Sequence, residues 1–477
     1  MHFQQFYLGC LAQASYLVGD AGECAIVDPR RDVEEYLAAA AGLGLKIRHV
    51  IETHLHADFV SGHVELARRS GATIWIGHRA GAAFPHRAAR DGDEIVMGRV
   101  TLRFLETPGH TPESMCVLIT DRGAPGAPQK VLTGDTLFIG DVGRPDLVAA
   151  KGSTPQQMAG LLFDSLRGKL LMLPDTTEVW PAHGAGSACG KNISQERSST
   201  IGEQRRLNLM LQPMSREQFI ALATAELAPP PRYFGHDAEI NRRGAPVLAE
   251  MPRPPALSPA EVRQRLQAGA VLLDVRDAQA FGAGHLPGSV NIGLSGSFAP
   301  WAGSLLPLDR PLVLVADDAA RVDEAIVRLA RVGLHDVVGL VDGGVPGWSA
   351  AGGRLDVLPQ LPPAELLARL GPQGGRSAAK DSARGELRVL DVRRPGEHAG
   401  GHVPGAVNVP LTELERRLGE LDPRRPTAVI CQTGYRSSAA ASLLRRAGFP
   451  EVFNVPGGTA AWIAAGHAVD TPQPAGT

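Results

Sequence analysis

The stretch Glu52–His63, ETHLHADFVSGH, decides how the first half of this chain is read. It follows IRHVI, a run with the β-branched, apolar composition of a buried strand. His54 and His56 stand two apart, and Asp58 follows two residues later. Loop-borne histidines at i and i+2 with an aspartate at i+4 can converge on a cation, because imidazole offers a neutral nitrogen and the carboxylate a hard oxygen. Phe59 interrupts the set, since its ring has no lone pair to give a metal. Working outward, VTLRFLETPGH ends at His110, KVLTGD ends at Asp135 and TEVWPAH ends at His183. CAIVDP reads as an earlier strand and DVEEYLAAAAGL as a helix. Strands that end in metal-capable residues describe a layered α/β protein whose loops carry the chemistry. Helices are expected near 194–211 and 215–226, the second opened by the capping pair Ser215 and Gln218.

A chain of 477 residues exceeds what one core serves, so several domains are expected. Charge is nearly balanced, 48 basic against 50 acidic residues, which argues against nucleic-acid and membrane-surface roles. There is no apolar run of 18 residues, so no spanning helix is expected. MHFQQFYLGCLAQ lacks a basic region before its apolar residues, so an export signal is not expected and the cytoplasm is the expected compartment. Five scattered cysteines, an odd number, do not build a disulfide framework.

The proline density of GAPVLAEMPRPPALSP, from Gly244 onward, marks a linker at 244–257. It separates a domain at 1–243 from the rest. Ser258 and Glu261, with Pro259 between, then form a capping box that starts a new helix. The remainder repeats itself. Asp274, Arg276, His285, Pro287 and Asn291 return as Asp391, Arg393, His402, Pro404 and Asn408 (408 − 291 = 117). Trp348 and Trp462 each follow a Gly-Gly pair. A period this long means two domain copies, expected at 258–356 and 357–472. The polar, glycine-rich GPQGGRSAAKDSARGE at 371–386 reads as a mobile loop.

The ordered series His54, His56, Asp58, His110, Asp135, His183 resembles the metallo-β-lactamase fold. That resemblance implies an αββα sandwich of two mixed sheets, with metal along one edge. Members commonly read HxHxDH and hold two ions, so Phe59 in the last position implies a single ion here. Within the fold, the chain looks like the persulfide dioxygenases. Carried over, their ligands to one Fe(II) are His54, His110 and Asp135, with zinc as the alternative metal. Two histidines and a carboxylate on one face leave room for dioxygen and a substrate sulfur. On that reading His56, Asp58 and His183 orient ligands or meet substrate. Arg144, in TGDTLFIGDVGRPD with Asp146, lies near the site. Cys189, six residues past His183, either brings its sulfur near the ion or is a small buried residue. Cys10, Cys24 and Cys116 read as packing. His63, His78 and His86 read as ordinary polar or packing residues, with a hydrogen bond to the metal loop open to His63.

In the second repeat the strand TAVI ends at Cys431, and CQTGYRS leads into a helix. A cysteine before a helix N-terminus meets free backbone N–H groups, which favour a thiolate or a persulfide anion. Arg436 adds positive charge. Cys-x4-Arg within this repeat resembles the rhodanese domain, which carries sulfane sulfur on its cysteine. The first repeat reads ADDAAR, placing Ala316 where Cys431 stands and Arg321 where Arg436 stands. It has no nucleophile and is read as a silent copy that spaces, docks or forms a subunit interface. Together the resemblances imply oxidation of a low-molecular-weight thiol persulfide by O2 to sulfite or thiosulfate, coupled to sulfur transfer through Cys431, in a homo-oligomer that removes sulfide. The alternative is a zinc thioester hydrolase, similar to glyoxalase II, with a sulfur-sensing tail.

Overall fold

The computed structural model describes residues 1–147, 152–371 and 387–471. It divides into two compact units, Met1–Pro252 with Val327–Leu334, and Arg253–Ile326 with His335–Thr477. Apart from Gly371, the stretch read from sequence as a mobile loop lies outside the described residues.

In the first unit two six-stranded sheets face each other. One runs in the order His2–Leu8, Gln13–Asp20, Glu23–Val27, Lys46–Ile51, Thr73–Gly77, Arg87–Ala89. The other runs Ser199–Thr200, Glu178–Pro181, Lys130–Gly134, Met115–Asp121, Val100–Glu106, Glu94–Met97. Both are mixed, antiparallel at one part and parallel at another. The two-residue alternation of strands places Ala14, Tyr16 and Val18 opposite Val100, Leu102 and Phe104 in the shared core. The intervening positions face outward under helices. Cys24, Ile26 and Val50 pack with Tyr36, Ala40 and Leu66 on one side. Cys116, Leu118 and Val131 pack with Leu162, Leu166 and Phe219 on the other. These are the four layers expected from the sequence.

Two helical segments differ from the sequence expectation. The helix expected from 194 begins only at Ile201 and ends at Leu207. Thr200 caps it by accepting the Glu203 N–H. Asn208 ends it, donating to Asp141 O and accepting the Met210 N–H, bonds that compete with further helix. A second helix, Phe234–Arg243, has no side-chain cap and was not signalled by pattern. The helix Arg216–Thr224 does carry the Ser215–Gln218 capping box.

The second unit holds two parallel sheets. The first orders its strands Ala256–Leu257, Val337–Val341, Leu312–Val315, Val271–Asp274, Val290–Asn291. The second orders Val407–Asn408, Arg388–Asp391, Thr427–Ile430, Val452–Asn454. The end of the proline-rich segment is itself the edge strand of the first sheet. The helix Pro259–Gln267 starts at the Ser258–Glu261 capping box. The repeated residues form the same buried frame twice. Arg276 forks onto Asp274 and donates to Gly284 O, while Arg393 forks onto Asp391 and donates to Gly401 O. Asn291 and Asn408 donate to the carbonyls of Asp274 and Arg276, and of Asp391 and Arg393. Removing one partner of such a buried pair strands a charge, at a cost of about 3–5 kcal/mol.

Candidate metal centre and cysteine loop

The strand Lys46–Ile51 delivers Glu52–Gly62 to the edge of the sandwich, where the ends of three strands of the opposite sheet bring His110, Asp135 and His183. Two glycines permit the approach. Gly134 adopts φ +50°, a left-handed turn that aims the next residue, Asp135. At Gly143 a Cβ would sit 1.9 Å from Asp135 O and 3.1 Å from His110 Nδ1.

His54, His110 and Asp135 converge with their ligand atoms within 4.8 Å of one another, all buried. Asp135 Oδ2 lies 3.4 Å from His110 Nε2 and 3.8 Å from His54 Nε2. The tautomers are set from behind. His110 Nδ1 donates to Arg144 O at 2.9 Å. His54 Nδ1 donates to Thr53 Oγ1 at 3.0 Å, because that hydroxyl spends its own proton on Asp28 Oδ2 at 2.9 Å. His183 Nδ1 faces Ala12 O at 3.2 Å. Each ring therefore turns a bare Nε2 inward, the state a metal ligand needs. Burial, then repulsion from His56, His110 and His183, holds His54 well below its ordinary pKa, which keeps it neutral. Nε2 of His54 and of His183 and both carboxylate oxygens of Asp135 have no hydrogen-bond partner among the described residues. Each such buried atom costs about 1–3 kcal/mol. A cation bound by them all would remove that cost, so the residues fit a metal ion.

His56, Asp58 and His183 form a second triad within the same limit. His183 Nε2 is 3.3 Å from Asp58 Oδ2 and 3.5 Å from Asp135 Oδ1. Its third member, His56, faces other carboxylates as well, although neither ring nitrogen makes a hydrogen bond among the described residues. His56 Nε2 lies 3.1 Å from Asp28 Oδ1 and 3.5 Å from Glu52 Oε2. Burial pulls the pKa of His56 down, but the carboxylates of Asp28, Glu52 and Asp58 outweigh it and lift it to about 9. Phe59 is fully buried with its ring 4.4 Å from that of His56.

The structure also defines groups that sequence reasoning passed over. Asn241, on the helix Phe234–Arg243, accepts the Ser61 N–H and donates to His56 O and Phe59 O, each at 2.8 Å. Asp28 accepts the Thr53 N–H at 2.7 Å and sits at φ +52°. Only Asp28, closing the strand CAIVDP, stood beside a recognisable pattern. Arg144 reaches the centre through its backbone, since its guanidinium is engaged by Asp146, Ala188 O and Ala228 O. Cys189 lies within ligand reach of Asp135 and His183. Burial, followed by the charges of Asp58 and Asp135, pushes its thiol well above the ordinary value. Cys24 and Cys116 are core residues, and Cys10 is half-buried. The His63 ring lies 4.5 Å from that of Phe84, tilted by 46°, with Nδ1 3.6 Å from Glu52 Oε1.

In the second unit Cys431 closes the strand Thr427–Ile430, and its Sγ accepts the Gly434 N–H at 3.2 Å. Gly434, at φ +95°, leads into the helix Tyr435–Arg446. Arg436 is not a free charge at the mouth, because both its terminal nitrogens bind Glu397, at 2.8 and 2.6 Å. In the first copy, which has Ala316 in place of the cysteine, Asp318 Oδ1 accepts the Arg321 N–H at 2.8 Å, so a carboxylate closes the loop on itself.

Residues 8–183 match the metallo-beta-lactamase superfamily, and residues 258–351 and 376–465 each match the rhodanese-like domain. A crystal structure of a metallo-beta-lactamase from Staphylococcus aureus subsp. aureus COL is 32% identical, with a TM-score of 0.63, covering 71% of this chain and 98% of that one. A probable metallo-hydrolase of Burkholderia pseudomallei is 30% identical over 47% of this chain and 86% of its own length. The mitochondrial persulfide dioxygenase ETHE1 of Bos taurus is 28% identical over 48% of this chain and 83% of its own. A hydroxyacylglutathione hydrolase of Anaeromyxobacter dehalogenans is 36% identical over 35% of this chain and 60% of its own. Among the described residues no helix is long and apolar enough to cross a membrane.

Proposed function

Because the chain belongs to the metallo-beta-lactamase superfamily and carries two rhodanese-like domains behind that fold, we propose that it oxidises the outer sulfur of a low-molecular-weight thiol persulfide and hands sulfane sulfur through Cys431. The observation that carries this reading is the unequal pair of triads. His54 Nε2 and both Asp135 oxygens are unpaired beside His110 Nε2, whereas His56 Nε2 faces Asp28 Oδ1 at 3.1 Å. Two imidazoles and one carboxylate are the donor set that suits ferrous iron with open positions. Fe(II) held by these three residues would supply one-electron chemistry with dioxygen, which zinc cannot.

The chain's own residues define the rest. Thr53 and the Arg144 carbonyl fix which nitrogen of His54 and His110 is bare. Asn241 holds the loop that bears His54. His183 and Asp58 stand 3.3 Å apart beside Asp135, placed to hold a proton or to meet the polar end of a substrate. Cys189 places its sulfur beside Asp135 and His183. Overall, RSSH, O2 and H2O give RSH, sulfite and two protons. Cys431 takes up or delivers a sulfane sulfur, which links sulfite, thiosulfate and the thiol persulfide. Oxygen uptake by the purified chain on addition of glutathione persulfide, abolished by iron chelation, is the expected result. No oxygen uptake by iron-replete protein would refute the reading.

One observation favours a second reading. The His56–Asp58–His183 triad gathers metal-capable groups beside the first, and two adjacent ions would suit hydrolysis of a thioester. That reading predicts oxygen-independent cleavage of a glutathione thioester by zinc-loaded protein.

A further inference from the structure

The silent rhodanese-like copy lacks a nucleophile, yet it touches the loop that has one. Along the helix Tyr435–Arg446, Tyr435, Ser438 and Ser442 share one face. All three meet the segment of the silent copy around its strand Val290–Asn291. Ser438 Oγ donates to Asn291 Oδ1 at 2.6 Å, and the Asn291 N–H donates to Ser442 Oγ at 3.0 Å. Tyr435 OH donates to Gly293 O at 2.8 Å. The ring rests where side chains are missing. A Cβ at Gly296 would lie 2.6 Å from Tyr435 Cζ, and one at Gly293 would lie 3.6 Å from its Cε2. The arrangement has no counterpart in the opposite direction. In the active copy Pro410 and Glu413 stand where the silent copy has Gly293 and Gly296 (293 + 117 = 410; 296 + 117 = 413), and Ala320 stands where the active copy has Tyr435. The silent copy has the cradle and the active copy has the ring.

We propose that Tyr435 is a positioning residue for the Cys431 loop, and that Gly293 and Gly296 of the silent copy are the fixed wall that sets it. This rests on the reading of Cys431 as the sulfur carrier. With thiosulfate as donor, the Cys431 thiolate attacks the outer sulfur. A new S–S bond forms to Sγ as the donor's S–S bond breaks, and the electron pair leaves with sulfite. Cyanide then takes the sulfane sulfur as thiocyanate and the thiolate returns. Through both steps negative charge sits within reach of the Gly434 N–H, 3.2 Å from Sγ. Gly434 directly precedes Tyr435, so anchoring the ring anchors that peptide. A positive-φ glycine beside the nucleophile has the freedom to swing unless something restrains it.

The test is thiosulfate-to-cyanide sulfur transfer by the full chain, with rates expressed per titratable Cys431 thiol. Tyr435→Phe keeps the ring and removes one hydrogen bond. Its kcat should fall roughly fivefold while KM for thiosulfate stays within about twofold. Gly296→Ala, made in the silent copy, should lower kcat by a similar factor, and adding it to Tyr435→Phe should cost little more. A purely structural contact would lower the unfolding midpoint and leave kcat per thiol unchanged, and that result overturns the proposal. So does a wild-type rate in Tyr435→Phe when Cys431→Ser is inactive. If Cys431→Ser still transfers sulfur, the carrier reading itself falls.

Discussion

Two triads stand side by side in the first unit, built from the same residue types and equally buried, yet set among different neighbours. In the first, His54 and His110 are held from behind by hydrogen bonds on their outer nitrogens, and His54 Nε2 and both Asp135 oxygens are left unpaired. In the second, His183 is held the same way, but His56 leans on Asp28 and Glu52, and Phe59 packs against its ring. The difference teaches that metal-capable residues in one loop are not interchangeable. What the nitrogens of each ring face decides how readily it can donate to a cation.

The largest expected effect separates the triads outright. His54→Ala should reduce bound iron from one per chain to below about a tenth and abolish oxygen uptake, because two remaining ligands hold Fe(II) poorly. Sulfur transfer from thiosulfate should survive in the same sample. Elemental analysis beside the two assays checks all three. Phe59→His restores the fourth position of the metal motif. If that residue limits the second triad, metal content should rise from one toward two ions per chain. An unchanged content would show that the hold of Asp28 on His56 sets the number. Asn241→Ala should destabilise the first unit by about 2–4 kcal/mol, read in denaturant unfolding, because it strands the Ser61 N–H and the carbonyls of His56 and Phe59. The smallest effect is a pH slope. His56 has its pKa raised from 6.5 to about 9, so the charged ring's contribution is complete below 6.5 and is lost as pH rises through 9. Glu52, lifted by burial, has the same sign. Stability of the first unit should therefore decline across that window, and Asp28→Asn should flatten the decline.

Much of this architecture is legible in the sequence, for local reasons. The strands that lead to His110, Asp135 and His183 announce themselves by apolar runs followed by a polar residue, and capping boxes at Ser215 and Ser258 are short-range chemistry. The two rhodanese-like copies are visible because their Asp-Arg-Asn frame sits within a few residues of each strand. What escapes is long-range. Asn241 lies far along the chain from the loop that it ties down, on a helix with no cap to mark it. The commitment of His56 depends on Asp28, from another strand end. Glu397, which neutralises Arg436, has Ala280 as its counterpart in the silent copy (280 + 117 = 397), so the repeat gives no hint of it. The tyrosine cradle is invisible for the same reason, since it is made by two copies that differ at the contacting positions.

The most direct measurement is the metal content of protein purified without oxygen, taken by elemental analysis on a sample of known chain concentration. Iron at about one atom per chain, with little zinc, is the predicted result. Two zinc ions per chain, in protein that cleaves a thioester and ignores dioxygen, would contradict it.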